Sequence, residues 1–554
     1  MANSNPSTVQ TPLLDDTVEA CLDYKGRPVR RSNSGGWLSA SFIIAVEIAE
    51  RFAYYGISSN LITYLTGPLG ESTAAAAAQV NAWSGTATLL PLLGAFVADS
   101  FLGRFRTIIL ASLLYVLGLG LLTLSAALPS LRFQVILFFL SLYLVALGQG
   151  GHKPCVQAFG ADQFDGQDEE ECKARSSFFN WWYFGICAGT FITLWILTYI
   201  QDNLSWVLGF GIPAIVMVVG LVVFLLGTAT YRYSIRGDEE SPFVRIGRVF
   251  ILAVNNRKTA SSAIAAEEEA RGTLPTESSK QFKFLNKALL APDGLKEQGK
   301  VCSIGEVEEA KTVISLAPIW AASLFYAIVY AQTTTFFTKQ GATMDRSITT
   351  GFQIPAASLL SFISLTIMIF IPIYDRIFVP LARKLTRKPA GITMLQRIGI
   401  GMLLSALSML TAALVEMRRL KTAQESGLVD KPIVTVPMSV CWLLPQYILS
   451  GLSDVFAMVG LQEFFYHQVP KELRSVGLAL YLSIFGVGSF LSSFLISGIE
   501  NMTGGDDRDS WFSNNLNRAH LDYFYWLLAA LSAIGLSLFL CSAKSYIYAR
   551  GATS

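Results

Sequence analysis

The chain contains 554 residues, of which 52% are hydrophobic and only 15% are charged, and its mean hydropathy is +0.46. This composition is too apolar for an ordinary soluble domain. The formal net charge is +2 and the basic residues are scattered, which argues against a nucleic-acid-binding protein. A membrane-spanning helix needs about 20 apolar residues, and the chain supplies about a dozen such runs. The composition therefore predicts a multi-pass membrane protein.

The apolar runs, taken in chain order, predict an all-α membrane protein with twelve transmembrane helices. Their approximate ranges are 37–66, 79–99, 107–128, 134–158, 178–200, 206–230, 312–337, 352–374, 393–415, 435–467, 475–498 and 522–546. A long polar stretch separates the sixth run from the seventh. The helices are therefore predicted to form two six-helix bundles.

This division predicts five parts of the chain. They are a disordered cytoplasmic N-terminal tail (1–36), an N-terminal bundle (37–230), a cytoplasmic linker (231–311), a C-terminal bundle (312–546) and a cytoplasmic tail (547–554). The linker is assigned from its polarity and its scarcity of aromatic residues. Because the number of spans is even, both ends of the chain are predicted to lie on one side of the membrane.

Matching features at the ends of the second and eighth helices indicate an internal repeat. The second helix ends in GAFVADSFLGRFR (94–106), and the eighth ends in PIYDR (372–376), followed by its own basic cluster. Repeated halves around a central site are the common plan of secondary transporters. The repeat therefore favours a transporter.

The distribution of basic residues predicts which side of the membrane the chain ends occupy. Cytoplasmic loops carry an excess of lysine and arginine. The segment before the first helix contains Lys25, Arg27, Arg30 and Arg31. Both termini are therefore predicted to be cytoplasmic. One basic group after the ninth helix opposes this orientation, because it would face outward: Arg418, Arg419 and Lys421.

The first helix contains the segment VEIAERFAYYG (46–56), in which three ionisable residues interrupt an apolar span. Charged groups at this depth are costly and normally face a cavity or one another. Residues spaced three and four apart lie on one face of a helix. Glu47, Glu50 and Arg51 are therefore predicted to interact, and they are the first candidates for a functional site.

The fourth helix carries Lys153 within ALGQGGHKPCVQAFGADQFD (146–165). The glycines before it and Pro154 after it are expected to loosen the helix, which a membrane tolerates only against protein or a water-filled cavity. Lys153 is therefore predicted to face the interior, with the carboxylates of the first helix as partners. His152 is expected to point about 100° away from Lys153 and to have a structural role.

Helices seven and ten supply further polar side chains at membrane depth. Asp454 lies near the centre of the tenth span, where an unpaired carboxylate is strongly driven to bind a proton. Tyr326 and Tyr330 lie on the seventh helix. Their hydroxyl groups are suited to a cavity lining, and their rings are equally suited to core packing.

The motifs of common enzyme classes are missing from the sequence. It contains no GxxxxGK[ST] phosphate loop, no HExxH zinc motif and no GxSxG nucleophile turn. Only three histidines are present, which argues against a polyhistidine metal centre. We therefore expect no catalytic residues, no cofactor and no bound metal. The predicted partners are a small-molecule substrate, protons and the lipid membrane.

Four segments resemble the signatures of one transporter family. EIAERFAYYG (47–56) is similar to its ExxER signature, KPCVQAFGADQFD (153–165) to its fourth-helix signature, FFNWWYFGICAG (178–189) to its fifth-helix signature, and GLQEFFYHQVP (460–470) to its tenth-helix pattern. The segments also occur in the family's order. The chain therefore resembles the plant nitrate and peptide transporter family, within the proton-dependent oligopeptide transporters of the major facilitator superfamily.

The resemblance implies the major facilitator fold and a role for each candidate residue. The resemblance implies a salt bridge between Lys153 and the ExxER cluster. Asp454 lies at the position of helix ten where the family carries an acidic residue. Proton coupling is implied for Glu47, Glu50 and Lys153. Substrate binding is implied for Arg51, Lys153, Tyr330 and Asp454.

One position departs from the nitrate-transporting branch of the family. A helix-seven histidine implicated in nitrate binding there corresponds to Tyr330, and tyrosine carries no positive charge at neutral pH. The predicted function is a proton-coupled symporter of a small solute, such as nitrate or a di- or tripeptide, that works by alternating access. The alternatives are a nitrate or metabolite exporter or facilitator at an internal, vacuolar membrane, and a transporter-like sensor. The predicted location is the plasma membrane or the vacuolar membrane.

Overall fold

The computed structural model describes residues 17–165, 168–234, 242–256, 282–289, 302–349, 352–378, 380–381, 384, 392–470, 473–504 and 510–546. The predicted C-terminal tail (547–554), residues 1–16 of the predicted N-terminal tail and most of the predicted linker lie outside these ranges. Nearly all of both predicted bundles lies within them.

Seven helices of the N-terminal half make its membrane crossings. The first crossing consists of α1 (Gly36–Ser58) and the short α2 (Leu61–Thr66). The others are α3 (Thr73–Val97), α4 (Arg104–Ala127), α5 (Leu131–Ala161), α6 (Glu169–Asn203) and α7 (Trp206–Leu226).

The C-terminal half repeats this plan after the linker helix α8 (Pro242–Asn255). Its first crossing consists of α9 (Ile304–Ser315), α10 (Ala317–Tyr330) and α11 (Phe336–Ala342). The others are α12 (Ser361–Ile373), α13 (Met394–Glu425), α14 (Leu444–His467), α15 (Arg474–Thr503) and α16 (Leu521–Ser545). Ten helical segments of the described residues are long and apolar enough to cross a membrane. The charged α1 and the long α6 supply the remaining crossings.

The first and seventh crossings are broken, whereas the sequence predicted unbroken spans. Between α1 and α2, the side-chain amide of Asn60 donates to Asp202 Oδ1 (2.8 Å) and to Gln201 Oε1 (3.2 Å) on α6. Gln201 in turn donates to the backbone carbonyl of Gly56 (2.7 Å). Polar partners on a neighbouring helix therefore satisfy the groups around the break, which makes it tolerable in a membrane.

The expected loosening of the fourth transmembrane helix is wrong, because α5 continues through Pro154. Its glycines serve close packing instead. A methyl group at Gly148 would lie 2.8 Å from the backbone nitrogen of Tyr115 on α4. A methyl group at Gly150 would lie 2.7 Å from Leu90 Cβ on α3. These glycines therefore let α5 lie directly against α3 and α4.

The two repeated sequence features adopt the same local conformation. α3 continues into a wide π-helical turn at Ala98–Leu102, and α12 continues into one at Tyr374–Phe378. Both turns lie on the side of the membrane where α1 begins and α16 ends. The internal repeat in the sequence therefore corresponds to a repeat in the structure.

The described part of the N-terminal tail is ordered, which contradicts the prediction of disorder through residue 36. β1 (Thr17–Leu22) pairs antiparallel with β2 (Pro28–Arg30) and with β3 (Tyr233–Ser234), in the order β2-β1-β3. Four further strands form two small sheets elsewhere. β4 (Met344–Asp345) pairs with β7 (Val436–Ser439), and β5 (Ser347–Thr349) pairs with β6 (Phe352–Gln353).

Ion pairs hold the ordered tail against the N-terminal bundle. Arg31 lies 2.7 Å from Asp165, 3.1 Å from Asp168 and 3.3 Å from Glu171. The buried Arg232 also pairs with Glu171, at 2.6 Å. Asp168 caps the start of α6, where its carboxylate accepts a hydrogen bond from the backbone N–H of Glu171. This hydrogen bond lowers the pKa of the Asp168 carboxyl group. Composition alone did not reveal the partners of Arg31, because these acidic residues follow it by more than 130 positions.

The ninth crossing extends beyond its predicted end. α13 runs to Glu425, so Arg419 is a helix residue rather than a loop residue, and it is fully buried. One member of the basic group that opposed the predicted orientation is therefore part of the protein interior.

Candidate functional site

The three ionisable residues of α1 contact one another, as their spacing predicts. Arg51 Nε lies 3.3 Å from Glu47 Oε1, and the second guanidinium nitrogen, Arg51 Nη2, contacts the carboxylate of Glu50. The exposed fraction is 4% for Glu47, 0% for Glu50 and 5% for Arg51. The three residues therefore form a buried charge cluster, called here the α1 cluster.

Small residues on neighbouring helices hold α1 in the rotation that creates this cluster. Methyl groups at Gly185 and Gly189 of α6 would lie 3.2 Å and 3.5 Å from the side chain of Ile48. A methyl group at Gly220 of α7 would lie 2.7 Å from Ala49 Cβ. Ile48 and Ala49 therefore pack against glycines, and the charged face of α1 turns towards α5 and the interior.

The α1 cluster contains two carboxylates and one guanidinium. A buried charge is strongly destabilising unless an opposite charge or a hydrogen-bond partner compensates it. Arg51 supplies one positive charge, whereas Glu47 and Glu50 supply two negative charges when both are ionised. One carboxylate therefore needs a second cation or a proton.

Lys153 is the nearest candidate for the second cation. It is half-buried on α5 and close enough to interact electrostatically with Glu50 and Glu47. Among the described residues, however, no carboxylate oxygen lies within 4 Å of Lys153 Nζ. The salt bridge implied by the family resemblance is therefore not formed in this structure, although its partners are neighbours.

Sequence reasoning missed His152 as a neighbour of this cluster. Its imidazole is fully buried, and one ring nitrogen lies within 4.8 Å of a carboxylate oxygen of Glu47 and of Glu50. Within the part of the chain that the structure describes, neither ring nitrogen has a hydrogen-bond partner. The rotation of about 100° from Lys153 was correct for an α-helix, but positions 152 and 153 both border α1. A titratable side chain in the middle of an apolar run was the signal.

Glu47, Glu50 and His152 are the only group among the described residues with a spacing suited to a metal ion. Arg51 is already paired with both carboxylates and brings a positive charge to the same place. This charge repels a metal cation, most strongly in a buried site. The arrangement is better suited to a proton.

A cavity of about 240 Å³ lies between the two bundles. α1, α6, α10, α12 and α14 supply most of its lining, together with the turn that follows α10. Its hydroxyl-bearing residues, apart from the tyrosines, are Ser58, Ser59, Thr190, Thr333, Thr334 and Ser364. The predicted substrate residues Tyr330 and Asp454 line it, whereas Arg51 and Lys153 do not.

Asp454 is the one ionisable carboxylate of the described cavity lining. It is 7% exposed and accepts a hydrogen bond from the hydroxyl group of Tyr326 at 2.6 Å. Tyr330 is 37% exposed, and its ring packs against Phe485 at a centroid distance of 5.3 Å. Of the two tyrosines on α10, one therefore positions the carboxylate and the other presents its surface to the cavity.

Aromatic residues connect the α1 cluster with this cavity. The guanidinium group of Arg51 lies 5.6 Å from the centre of the Tyr54 ring, within the range of a cation–π contact. The ring of Tyr54 lies 5.4 Å from that of Tyr55, which lines the cavity. Adjacent residues of one helix therefore extend from the charged cluster to the cavity wall.

Hydrogen bonds join the bundles on the far side of the membrane, the side where α2 ends and α3 begins. Lys339 Nζ donates to Thr66 Oγ1 at 3.0 Å. Asn81 donates to Ser492 Oγ at 3.0 Å. Nearer the middle of the membrane, a methyl group at Gly85 would lie 2.9 Å from the carbonyl oxygen of Gly486. These contacts hold α2 and α3 directly against α11 and α15.

Known proteins share this sequence and architecture. The family model described as "PTR2: POT family" matches residues 105–512. "Protein NRT1/ PTR FAMILY 5.10" of Arabidopsis thaliana is 68% identical, over 98% of each chain. "Protein NRT1/ PTR FAMILY 5.14" of the same plant is 58% identical, over 98% of this chain and 99% of the relative.

Solved structures confirm the fold. An auto-inhibited POT family peptide transporter superimposes with a TM-score of 0.71, over 93% of this chain and 98% of the other, at 22% identity. The POT family transporter PepTSo gives a TM-score of 0.70, over 92% and 98%, at 21% identity. The predictions of the fold, of a transporter and of a protein that is not an enzyme are confirmed. By its sequence and its relatives, the chain belongs to the POT family of multi-pass membrane transporters.

Proposed function

We propose that this transporter is a proton-coupled symporter that carries a small solute, such as nitrate or a di- or tripeptide, by alternating access. One observation carries the proposal: Glu47 and Glu50 are buried together and share a single guanidinium, that of Arg51. The excess negative charge requires a proton or a second cation. Membrane proteins place such groups on proton pathways.

Lys153 provides the alternative to the proton. Because it lies next to the cluster without an ion pair to it, a proton on one carboxylate is consistent with the observed arrangement. When that proton leaves, the carboxylate attracts Lys153, and α5 and α1 draw together. Proton release and helix movement are then one event, which is the coupling that a symporter needs.

The cavity supports a small substrate. Its volume of about 240 Å³ is below the about 300–1,000 Å³ typical of pockets for drug-sized ligands. Hydroxyl groups, Tyr330 and Asp454 supply hydrogen-bonding groups along its wall. The similar solved structures are peptide transporters, which supports peptides among the candidates.

We further propose that both termini face the cytoplasm, at the plasma membrane or the vacuolar membrane. The basic residues before α1 support this orientation, and the burial of Arg419 removes one residue that opposed it. A fluorescent tag at each terminus, with quenching from one side of intact cells or vacuoles, tests orientation and location together. Fluorescence quenched from the outside of intact cells would contradict it.

Transport into proteoliposomes tests the proposed coupling. The purified protein is reconstituted, an inward acid gradient is imposed, and uptake of nitrate and of dialanine is measured separately. We expect at least one solute to accumulate above its external concentration, and a protonophore to abolish the accumulation. Solute entry that is unchanged when both the pH gradient and the membrane voltage are collapsed would refute proton coupling.

A further inference from the structure

We propose that His152 is part of the proton-binding site, and that its imidazole shares the transported proton with the carboxylates of Glu47 and Glu50. This inference rests on the proposed proton coupling. It extends the site from the α1 helix to α5, at a residue directly next to Lys153.

The position of the ring carries the proposal. His152 is 0% exposed, and a ring nitrogen lies within 4.8 Å of carboxylate oxygens of both Glu47 and Glu50. Both ring nitrogens are buried without a hydrogen-bond partner among the described residues, as are Glu50 Oε1 and Glu47 Oε2, whereas the other oxygen of each carboxylate forms an ion pair with Arg51. Buried polar atoms are normally hydrogen-bonded, and exceptions concentrate where a group has a chemical role. A proton shared between these atoms satisfies a donor and an acceptor at once.

The charges around His152 come from three helices. α1 supplies Glu47, Glu50 and Arg51, and α5 itself supplies Lys153. α4 supplies Tyr115, whose buried hydroxyl group has no hydrogen-bond partner and interacts electrostatically with Glu50 and Arg51. With both carboxylates ionised and the imidazole neutral, the cationic and anionic charges balance. One added proton therefore gives the whole group a single positive charge.

The proton moves between oxygen and nitrogen without any other reactant. A neutral imidazole has one acceptor nitrogen and one N–H donor. When a protonated carboxyl group transfers its proton, its O–H bond breaks and an N–H bond forms on His152. The carboxylate regains its charge and its attraction to Arg51. Because direct transfer needs contact at hydrogen-bond distance, it follows a side-chain rotation or passes through one water molecule.

Nuclear magnetic resonance of ¹⁵N-histidine-labelled protein tests this sharing without knowledge of the substrate. The chain has three histidines, so the spectrum of the protein in lipid nanodiscs is simple. His152→Leu identifies the His152 signal by its loss. Strong coupling shifts a titration midpoint by about one pH unit or more. We expect Glu50→Gln to shift the His152 midpoint by this amount and to leave the midpoints of His467, which is exposed, and of His520, which is half-buried, unchanged. A His152 signal that does not titrate, or that ignores Glu50→Gln, would overturn the proposal.

Transport by the same variants separates a proton role from a structural one. We expect His152→Leu to shift the pH profile of proton-driven uptake of nitrate or dialanine while solute counterflow, which needs no net proton movement, is retained. His152→Gln, which keeps a polar side chain, guards against a folding defect, and His467→Leu is the matched control at an exposed histidine. Equal loss of driven uptake and counterflow in both His152 variants would overturn a proton role. If the wild-type protein shows no proton-driven uptake although Glu50→Gln shifts the His152 titration midpoint, the symporter proposal fails, whereas the proposal of a shared proton is retained.

Discussion

Among the described residues, two arginine–glutamate sites have every member buried, one in each bundle, and they differ in how completely their atoms are paired. On α13, Glu416 and Arg419 are both 0% exposed. Arg419 donates twice to Glu416, at 2.9 Å and 2.6 Å. It also donates to Asn517 Oδ1 (2.8 Å) and to the carbonyl of Leu516 (2.6 Å). Gln340 of α11 donates to Glu416 as well, at 2.8 Å.

The α1 cluster is paired far less completely. Two carboxylates share one guanidinium through ion pairs, and Glu47 Oε2 and Glu50 Oε1 make no hydrogen bond among the described residues. A buried network whose members are all satisfied is rigid and specific, whereas a partly satisfied one is costly to keep. The comparison teaches that the pairing, rather than the burial, distinguishes a structural charge pair from the cluster that we propose to exchange a proton.

The largest expected effect is the loss of stability when the fully hydrogen-bonded Glu416–Arg419 pair is broken. Arg419→Met leaves the Glu416 carboxylate buried without its cation, and breaking such a pair costs about 3–5 kcal/mol of unfolding free energy. Thermal unfolding of the detergent-solubilised protein measures the loss. Arg418→Met is the matched control, since Arg418 is exposed and stacks on Trp442. Equal stability of both variants would show that the Glu416–Arg419 pair is not structural.

Neutral isosteres at the two sites compare them directly. We expect Glu50→Gln to lower proton-driven uptake about 100-fold, equivalent to ~2.7 kcal/mol, with little change in thermal stability, because the amide cannot release a proton. We expect Glu416→Gln to lower stability and to retain coupling. The checks are uptake under a pH gradient and thermal unfolding of each variant. Concentrative uptake by Glu50→Gln would remove this carboxylate from the proton path.

The next effect concerns Gln340, a neutral side chain that donates a hydrogen bond to Glu416 of the Glu416–Arg419 pair. Gln340→Leu removes the amide that donates to Glu416 and should cost about 2 kcal/mol, within the range for hydrogen bonds to charged groups. Thermal unfolding again gives the value. The double variant with Glu416→Gln should lose less than the sum of the single losses, because the Gln340–Glu416 hydrogen bond is counted in both, although Gln340→Leu also removes the acceptor of Gln446. Additive losses would contradict the network.

The smallest expected effect concerns Asp454, a buried carboxylate whose described hydrogen-bond partner, Tyr326, is a neutral phenol. Tyr326→Phe removes this donor, worth about 1 kcal/mol, and should raise KM about 5-fold with kcat nearly unchanged. Concentration-dependent uptake of the transported solute tests it. Tyr523→Phe, at an exposed tyrosine of α16, is the control. An unchanged KM would show that Tyr326 does not position a substrate group.

Part of the candidate site was predictable because it depends on one helix. Glu47, Glu50 and Arg51 are separated by three and four positions, so helical geometry alone brings them together. The place of Lys153 near them was also predicted correctly. Its implied salt bridge was not found, because the distance between α1 and α5 depends on how each helix packs against others, α1 against Gly220 of α7 and α5 against α3 and α4.

The breaks in the first and seventh crossings were missed because hydropathy does not register a partner on another helix. Asn60 reads as a polar interruption, and only α6 supplies the Gln201 and Asp202 that satisfy it. The ordered tail was missed for the same reason. Its Arg31 was interpreted as a topology signal, whereas Asp165, Asp168 and Glu171 bind it.

The sequence by itself determined the membrane class, the crossings, the repeat, the family and the α1 cluster, because each follows from local composition, helical period or adjacent motif residues. Only the tertiary structure decided which charges are satisfied. It surrounds Arg419 with hydrogen-bond acceptors, whereas Lys153 lies more than 4 Å from the carboxylates of the α1 cluster. It also places the imidazole of His152 near the carboxylates of Glu47 and Glu50. The physical reason is that electrostatic compensation depends on distances between helices, and these distances are set by side-chain packing across the whole bundle.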